Sequence, residues 1–378
     1  MTEAAVRSPA DLLGRLRKDV ERSALRARNG IKLVTGAGRP RSGLTPKDVV
    51  WERDRATLWR YRSDAVRHAP PLLIVFSLVS RSYVLDLAPG NSFVERLRDE
   101  GFDVYLLDWG SPEDRDAENG LEDYVDRYLP AAVEAVRATS GTPDVALVGY
   151  CFGGVLAVLA AAAHPELPLA SLTTIATPVD FREMGTLVAL AAHDDVSVED
   201  LLDDDGNIPA EALRSAFRVL KPTSELAQYA NLLDNLWNDK HVQAHQLMTG
   251  WTADHVPFPG RVAKQCVDLL VRRNALVDGT LRLAGRPVSL RDVRVPFLNV
   301  VATRDHIVPP GAARPLLDLV GSAQKDELLL DAGHIGLAVG RHAQEKTIPQ
   351  IADFLRAHSR PAAAGTTQAS ASDGQEQP

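Results

Sequence analysis

The segment Gly149-Tyr150-Cys151-Phe152-Gly153-Gly154 has the clearest chemical content in this sequence. It joins an apolar run, DVALVGY, to a run of small and aliphatic residues, GGVLAVLAAAA, so a thiol stands at a strand-to-helix turn with glycine two positions to either side. This is the G-x-S-x-G nucleophile elbow with cysteine in place of serine. Glycine is needed at 149 and 153 because the elbow forces its apex into a strained conformation, and side chains there would collide with the neighbouring strand and helix. At the start of a helix the aligned peptide dipoles favour a thiolate, and the amide of Phe152 is placed to donate to an oxyanion. A second oxyanion donor is expected from the loop Phe76-Ser77-Leu78-Val79-Ser80-Arg81, at the amide of Leu78 or Val79. The other cysteine, Cys266 in AKQCVDLL, has apolar neighbours at helical spacing and reads as buried packing. Two cysteines cannot build a disulfide framework or a four-cysteine zinc site, and neither has metal-ligand spacing around it.

A thiol nucleophile calls for a base. Thr303-Arg304-Asp305-His306 follows the apolar run PFLNVVA, which puts Asp305 at the C-terminal end of a strand, where catalytic groups gather in open α/β sheets. Further on, Asp331-Ala332-Gly333-His334-Ile335-Gly336 puts His334 in a glycine-flanked loop. Nucleophile, acid and histidine then occur in the chain order of α/β-hydrolases, with His334 as base and Asp305 as its orienting carboxylate or a second base. Asp331 and His306 lie close by in sequence and compete for these roles.

Such residues must be carried by a sheet. PLLIVFSLV (71–79), DVYLLDW (103–109), DVALVGY (144–150), SLTTIAT (171–177), PFLNVVAT (296–303) and DELLL (326–330) are short, almost unbroken apolar runs, as expected of parallel strands covered on both faces. Helical segments are expected between them at 92–100, at 121–138 with a break near Pro130, at 154–163 and at 314–319. This alternation specifies an α/β fold. An antiparallel hairpin, 48–52 with 56–61, opens the body. The interval 181–295 breaks the rhythm and reads as a mostly helical cap inserted above the C-terminal edge of the sheet. The expected division is a basic N-terminal helical segment (1–44), a core in two parts (45–180 and 296–358), the cap, and a disordered tail (359–378) with no large apolar residue after Pro361.

The chain carries a formal net charge of −8, which argues against nonspecific nucleic-acid binding. Residues 1–44 are the exception, with ten Lys and Arg against four Asp and Glu. Ser8 reads as an N-cap there; Leu12, Leu13, Leu16, Val20 and Ala24 fall on one helical face, and Gly30 reads as the helix stop. The segment either docks on an acidic partner or packs on the body with a solvated basic face. No apolar run is long enough to span a membrane and the N-terminus lacks a secretory h-region, so a cytoplasmic location is expected.

Taken together, DVVWERDRATLWRY, PLLIVFSLVSRSYVLDLAPGNSFVERL, GFDVYLLDWGSP, GYCFGG, SLTTIATPVDF, WTADHVPFPG, RDHIVPP and AGHIGLAVG resemble the polyhydroxyalkanoate synthase catalytic subunit family, in family order from about residue 48 to 340. In length the chain resembles the short, two-component type. The resemblance implies an α/β-hydrolase fold and an acyltransferase that polymerises 3-hydroxyacyl-CoA into polyester. It implies Cys151 as the acylated nucleophile, Asp305 as the residue activating the substrate hydroxyl and His334 as the base. Trp251, Asp254 and His306 are then candidates for the substrate channel. Coenzyme A is part of the substrate and a product, and neither a resident cofactor nor a metal is expected. The growing polyester chain, a second copy of the chain, and a second synthase subunit or granule protein are the expected partners, on cytoplasmic polymer granules. The alternatives are a cysteine-dependent acyl-CoA thioesterase or acyltransferase on the same fold, and a noncatalytic granule scaffold.

Overall fold

The structure is a computed structural model and describes residues 9–36, 40–193, 195, 197–220 and 231–362. Its centre is one mixed sheet. In chain order the strands are β1 (Lys47–Arg53), β2 (Ala56–Tyr61), β3 (His68–Val75), β4 (Phe102–Asp108), β5 (Val145–Tyr150), β6 (Leu169–Ile175), β7 (Phe297–Ala302) and β8 (Lys325–Leu330). They lie in the order 1-2-4-3-5-6-7-8, with β2 antiparallel to its neighbours and every pair from β4 to β8 parallel. The central strands are buried along nearly their whole length because helices cover both faces. Helices α3 (Leu129–Ser140) and α4 (Phe152–Ala163) pack on one face. Helix α2 (Phe93–Asp99) and the C-terminal helix Ile348–Ala357 pack on the other.

Local chemistry accounts for the boundaries. Ser92 caps α2 by accepting the amide of Glu95 at 3.0 Å. The break expected near Pro130 is a wide helical turn, Asp123–Tyr128, that gives way to α3 just before the proline, whose missing N–H cannot continue the ladder. The helix expected over 314–319 is two short pieces, Pro310–Ala313 and Leu316–Leu319, interrupted at Pro315. The first parallel strand, expected to reach Val79, stops at Val75, and Phe76 to Ser80 turn away to form the loop beside the elbow.

Two expectations at the ends of the chain are corrected. Helix α1 (Pro9–Thr35) does not stop at Gly30; it runs to Thr35, and Gly36 follows at φ +67°. Tertiary contacts outweigh the weak helix propensity of glycine here. Arg28 pairs with Asp239, Asn29 Nδ2 donates to the Leu236 carbonyl and to Asp239 (2.8 Å each), and Arg22 lies 4.6 Å from the Trp237 ring. The face that carries Val20 and Ala24 is exposed, while Asn29 is buried. Ser8 and the side chains of Leu12, Leu13 and Leu16 lie outside the described residues. At the other end, Arg360 and Pro361 form a ninth strand, antiparallel to the start of β3, and Arg360 pairs with Asp144, so the tail is ordered through this point. Residues 363–378 lie outside the description.

Between β6 and β7 the chain forms the cap. It holds helices, including α5 (Asp239–Ala253), but also two-residue strand pairs, Asn207–Ile208 with Phe258–Pro259 and Arg282–Leu283 with Arg286–Pro287. No described helix is long and apolar enough to cross a membrane.

Candidate active site

Cys151 sits between β5 and α4 at φ +55°, ψ −124°, a conformation that L-residues rarely adopt. Its amide donates to the Ile175 carbonyl at 2.8 Å, which anchors the apex to β6. The flanking glycines are required by space. A Cβ on Gly149 would lie 2.4 Å from the Gly154 Cα, and one on Gly153 would lie 2.3 Å from the Val75 carbonyl oxygen. Elbow and strand β3 are therefore in backbone contact, so the loop that leaves β3 is held against the nucleophile.

That loop brings the expected oxyanion donors. Leu78 is buried, and the Val79 amide faces the Ser77 hydroxyl at 3.5 Å. Phe152, as the first residue of α4, has an N–H with no partner within its helix. The loop is braced from behind by Trp109, whose Nε1 donates to the Phe76 carbonyl at 2.8 Å and whose ring meets Tyr124 edge-on.

His334 and Asp305 converge on the same place. His334 Nδ1 and Asp305 Oδ2 are 2.7 Å apart and both residues are buried. The other carboxylate oxygen of Asp305 accepts the amides of Ile307 (2.8 Å) and Val308 (2.9 Å), which fixes the orientation of the group. The imidazole also lies beside Cys151. Burial opposes its protonation, but the neighbouring Cys151 and the hydrogen bond that His334 makes to Asp305 outweigh burial, and the His334 imidazole is pushed up to about 10. Asp331 points away and pairs with Arg304 at the surface (2.6 Å), and His306 is exposed. Neither joins the Cys151–His334–Asp305 group.

The segment between β6 and β7 touches the elbow and the loop after β3 at three points. Phe258 meets Phe152 edge-on with ring centroids 5.9 Å apart, His255 bridges Ser80 through backbone hydrogen bonding, and the buried Trp251 donates from Nε1 to the Arg81 carbonyl at 2.8 Å. Asp254 lies 3.6 Å from the Arg81 guanidinium and accepts the Tyr83 hydroxyl at 3.1 Å. Trp251 and Asp254, expected to line a channel, are thus placed as a clasp between α5 and the loop after β3. Cys266 begins a wide turn in the cap (Cys266–Arg272); it packs on the apolar core, and burial pushes its thiol far above the ordinary range.

Residues 84–340 match the alpha/beta hydrolase fold family. The chain is 36% identical over 320 residues to the poly(3-hydroxyalkanoate) polymerase subunit PhaC of Allochromatium vinosum, covering 83% of this chain and 89% of that protein. It is 33% identical over 333 residues to the protein of the same name from Thiocystis violacea, covering 87% and 93%. This chain belongs to the poly(3-hydroxyalkanoate) polymerase family. A relative from Haloferax mediterranei with the same name is 34% identical over 320 residues; the match covers 84% of this chain and 65% of that longer protein. The family resemblance drawn from the motifs and the α/β-hydrolase fold both stand.

Sequence reasoning missed several residues of this site. Tyr150, the variable position inside the elbow motif, donates its hydroxyl to the His334 carbonyl at 2.8 Å. Arg81 and Tyr83, which receive the cap, sit in a stretch whose only sequence signal is adjacency to the oxyanion loop. Gly154, the third glycine of GYCFGG, is also enforced, because a Cβ there would lie 1.9 Å from the Thr177 hydroxyl oxygen.

Proposed function

We propose that the chain is a poly(3-hydroxyalkanoate) synthase that works through a covalent acyl-cysteine. The observation that carries this reading is a cysteine at the elbow apex beside a buried, hydrogen-bonded His334–Asp305 pair, with the cap packed on the elbow. The Cys151 thiolate attacks the thioester carbonyl of a 3-hydroxyacyl-CoA. The oxyanion is received by the Phe152 amide and, since the Val79 amide faces Ser77, by the amide of Leu78. The carbon–sulfur bond to coenzyme A breaks, the CoA thiolate takes the proton from the His334 imidazolium, and the acyl group remains on Cys151. Exchange of one thioester for another is nearly isoenergetic, which suits sulfur better than a serine alkoxide.

Elongation begins from the neutral imidazole. His334, with its Nδ1 proton held by Asp305, removes the proton from the 3-hydroxyl of one unit, and the oxygen attacks the thioester of another to form an ester and free a thiol. Asp305 acts through His334, since its oxygens are engaged by His334 Nδ1 and two amides. Water reaching the acyl-cysteine would turn polymerisation into hydrolysis, and the cap contacts at Phe258, His255 and Trp251 are suited to excluding it. The cycle uses no resident cofactor. The relatives are named as subunits, which supports assembly with a second polypeptide or a second copy of the chain on the growing polymer.

The test is incubation with 3-hydroxybutyryl-CoA, following CoA release, product size and the intact protein mass together. High-mass polyester with an adduct on Cys151 is the expected result. Stoichiometric free 3-hydroxybutyrate without polymer would replace this reading with a thioesterase.

A further inference from the structure

Tyr150 occupies the one position of the elbow motif, between Gly149 and Cys151, that the motif leaves open, and it is buried. Its hydroxyl donates to the backbone carbonyl of His334 at 2.8 Å. The only other donor recorded at that carbonyl among the described residues is the Leu337 amide, at a long 3.4 Å. Its ring meets the His334 ring at 70° with centroids 5.4 Å apart, and stacks on Phe76 at 5.5 Å and 13°. One side chain therefore touches the loop of the base, is covalently next to the nucleophile, and packs on the residue that starts the oxyanion loop. Burial, with the charges of Cys151 and Asp305 nearby, holds the phenol well above its ordinary range, so it stays a donor.

The contact supplies something the Asp305 pair does not. Asp305 holds Nδ1 and sets the direction of the imidazole ring, but the distance of the ring from Cys151 also depends on where the His334 backbone lies. His334 stands in a short loop between β8 and the single turn Ile335–Leu337, with glycine on either side at 333 and 336. Such a loop has few constraints of its own. We propose that Tyr150 is a positioning residue: its hydroxyl ties the His334 backbone to the strand that ends in Cys151 and so sets the separation between base and nucleophile.

This inference deepens the proposed reading of the site and rests on Cys151 and His334 acting together. The test therefore uses one readout that needs no assumption about substrate. In a Cys266→Ala background, the rate of Cys151 alkylation by iodoacetamide is measured from pH 5 to 10 for the parent and for Tyr150→Phe, which keeps the ring and removes only the hydroxyl. With the His334 loop released, the imidazole is no longer held at a fixed separation from Cys151. The alkylation midpoint should then move up by about one pH unit, with labelling about tenfold slower at pH values below both midpoints. CoA release from 3-hydroxybutyryl-CoA should show kcat lowered about tenfold and KM within about twofold, because the group lost touches no substrate. Far-UV circular dichroism and thermal unfolding establish that the variant is folded. Tyr150→Met, which removes both hydroxyl and ring, should shift the alkylation midpoint at least as far. An unchanged alkylation profile in folded Tyr150→Phe overturns the inference, as does a shift seen in Tyr150→Met alone, which would assign the effect to ring packing. A shifted alkylation profile with no CoA release in the parent would retain the Tyr150 inference and remove the synthase reading.

Discussion

Replacing Asp305 by Asn should separate acylation from elongation, and the geometry says by how much. In the parent, Oδ1 of Asp305 accepts the amides of Ile307 and Val308, and Oδ2 faces His334 Nδ1 at 2.7 Å. An asparagine keeps its carbonyl oxygen on the two amides, so its NH2 group is left facing Nδ1. An imidazolium carries a proton on both nitrogens and loses both a negative neighbour and a hydrogen bond. Asp305 is one of the groups that raise the His334 imidazole, so its loss lowers the imidazole from its raised position. The Cys151 charge remains. His334 keeps its place beside the thiol and a neutral imidazole can still take the thiol proton, so acylation should slow by only about 10- to 100-fold. Elongation is affected differently, because it needs neutral His334 with a proton on Nδ1 and a free lone pair on the other nitrogen. An amide NH2 facing Nδ1 selects the opposite tautomer, and inverted tautomers of this kind cost about 10⁴-fold. Rapid-quench intact-mass measurement of the Cys151 adduct, paired with size analysis of the polyester, checks both halves. The expected result is an acylated Asp305→Asn protein that makes almost no polymer. Asp305→Asn protein that stays unmodified after many parental turnover times would show that the carboxylate is needed from the first step. Polymerisation within tenfold of the parent would show that the tautomer argument is wrong.

The other expectations concern the nucleophile, the clasp and the N-terminal helix. Cys151→Ala should abolish CoA release while Cys266→Ala keeps most of it, since only the first thiol meets a base; comparable losses in a CoA assay would refute the assignment. Asp254→Ala removes the Arg81 and Tyr83 contacts of the cap and should raise the ratio of free 3-hydroxybutyrate to polymer, read by chromatography, with Cys151 still acylated; an unchanged ratio would show that the clasp does not govern water entry. Deleting residues 1–36 leaves the Thr45–Asp86 contacts that begin the folded body, so the truncated protein should fold and accept an acyl group. Full-length assemblies, but not truncated ones, should dissociate as salt screens the basic helix, and identical sedimentation of the two chains at every salt concentration would refute this.

Much of this site is visible in the sequence because its signals are local. A thiol between two glycines, at the boundary of an apolar run and a helix, specifies both its backbone and its neighbours, and the sheet that carries it is written in continuous apolar runs of strand length. Choosing Asp305 over Asp331 is where local reasoning stops. Both acids follow a strand, and only the tertiary arrangement turns one toward His334 and the other toward Arg304 at the surface. Gly30 shows the reverse error, a correct local rule overruled by the docking of Arg28 and Asn29 on the cap.

The contacts that close the site leave still less trace. Trp251 and Tyr150 donate to backbone carbonyls, of Arg81 and His334, and any residue type supplies a carbonyl, so the acceptor makes no mark on the sequence. The strand pair that carries Phe258 is two residues long, too short for alternation to show, and its partner Asn207–Ile208 lies far away in the chain. Yet this pairing is what delivers Phe258 to Phe152, the residue next to the nucleophile. On the proposed cycle, the step from hydrolase to polymerase depends on keeping water from the acyl-cysteine. The residues that name the nucleophile are therefore legible in order along the chain, while those that decide whether water or a hydroxyl reaches it become visible only once the cap is folded over the elbow.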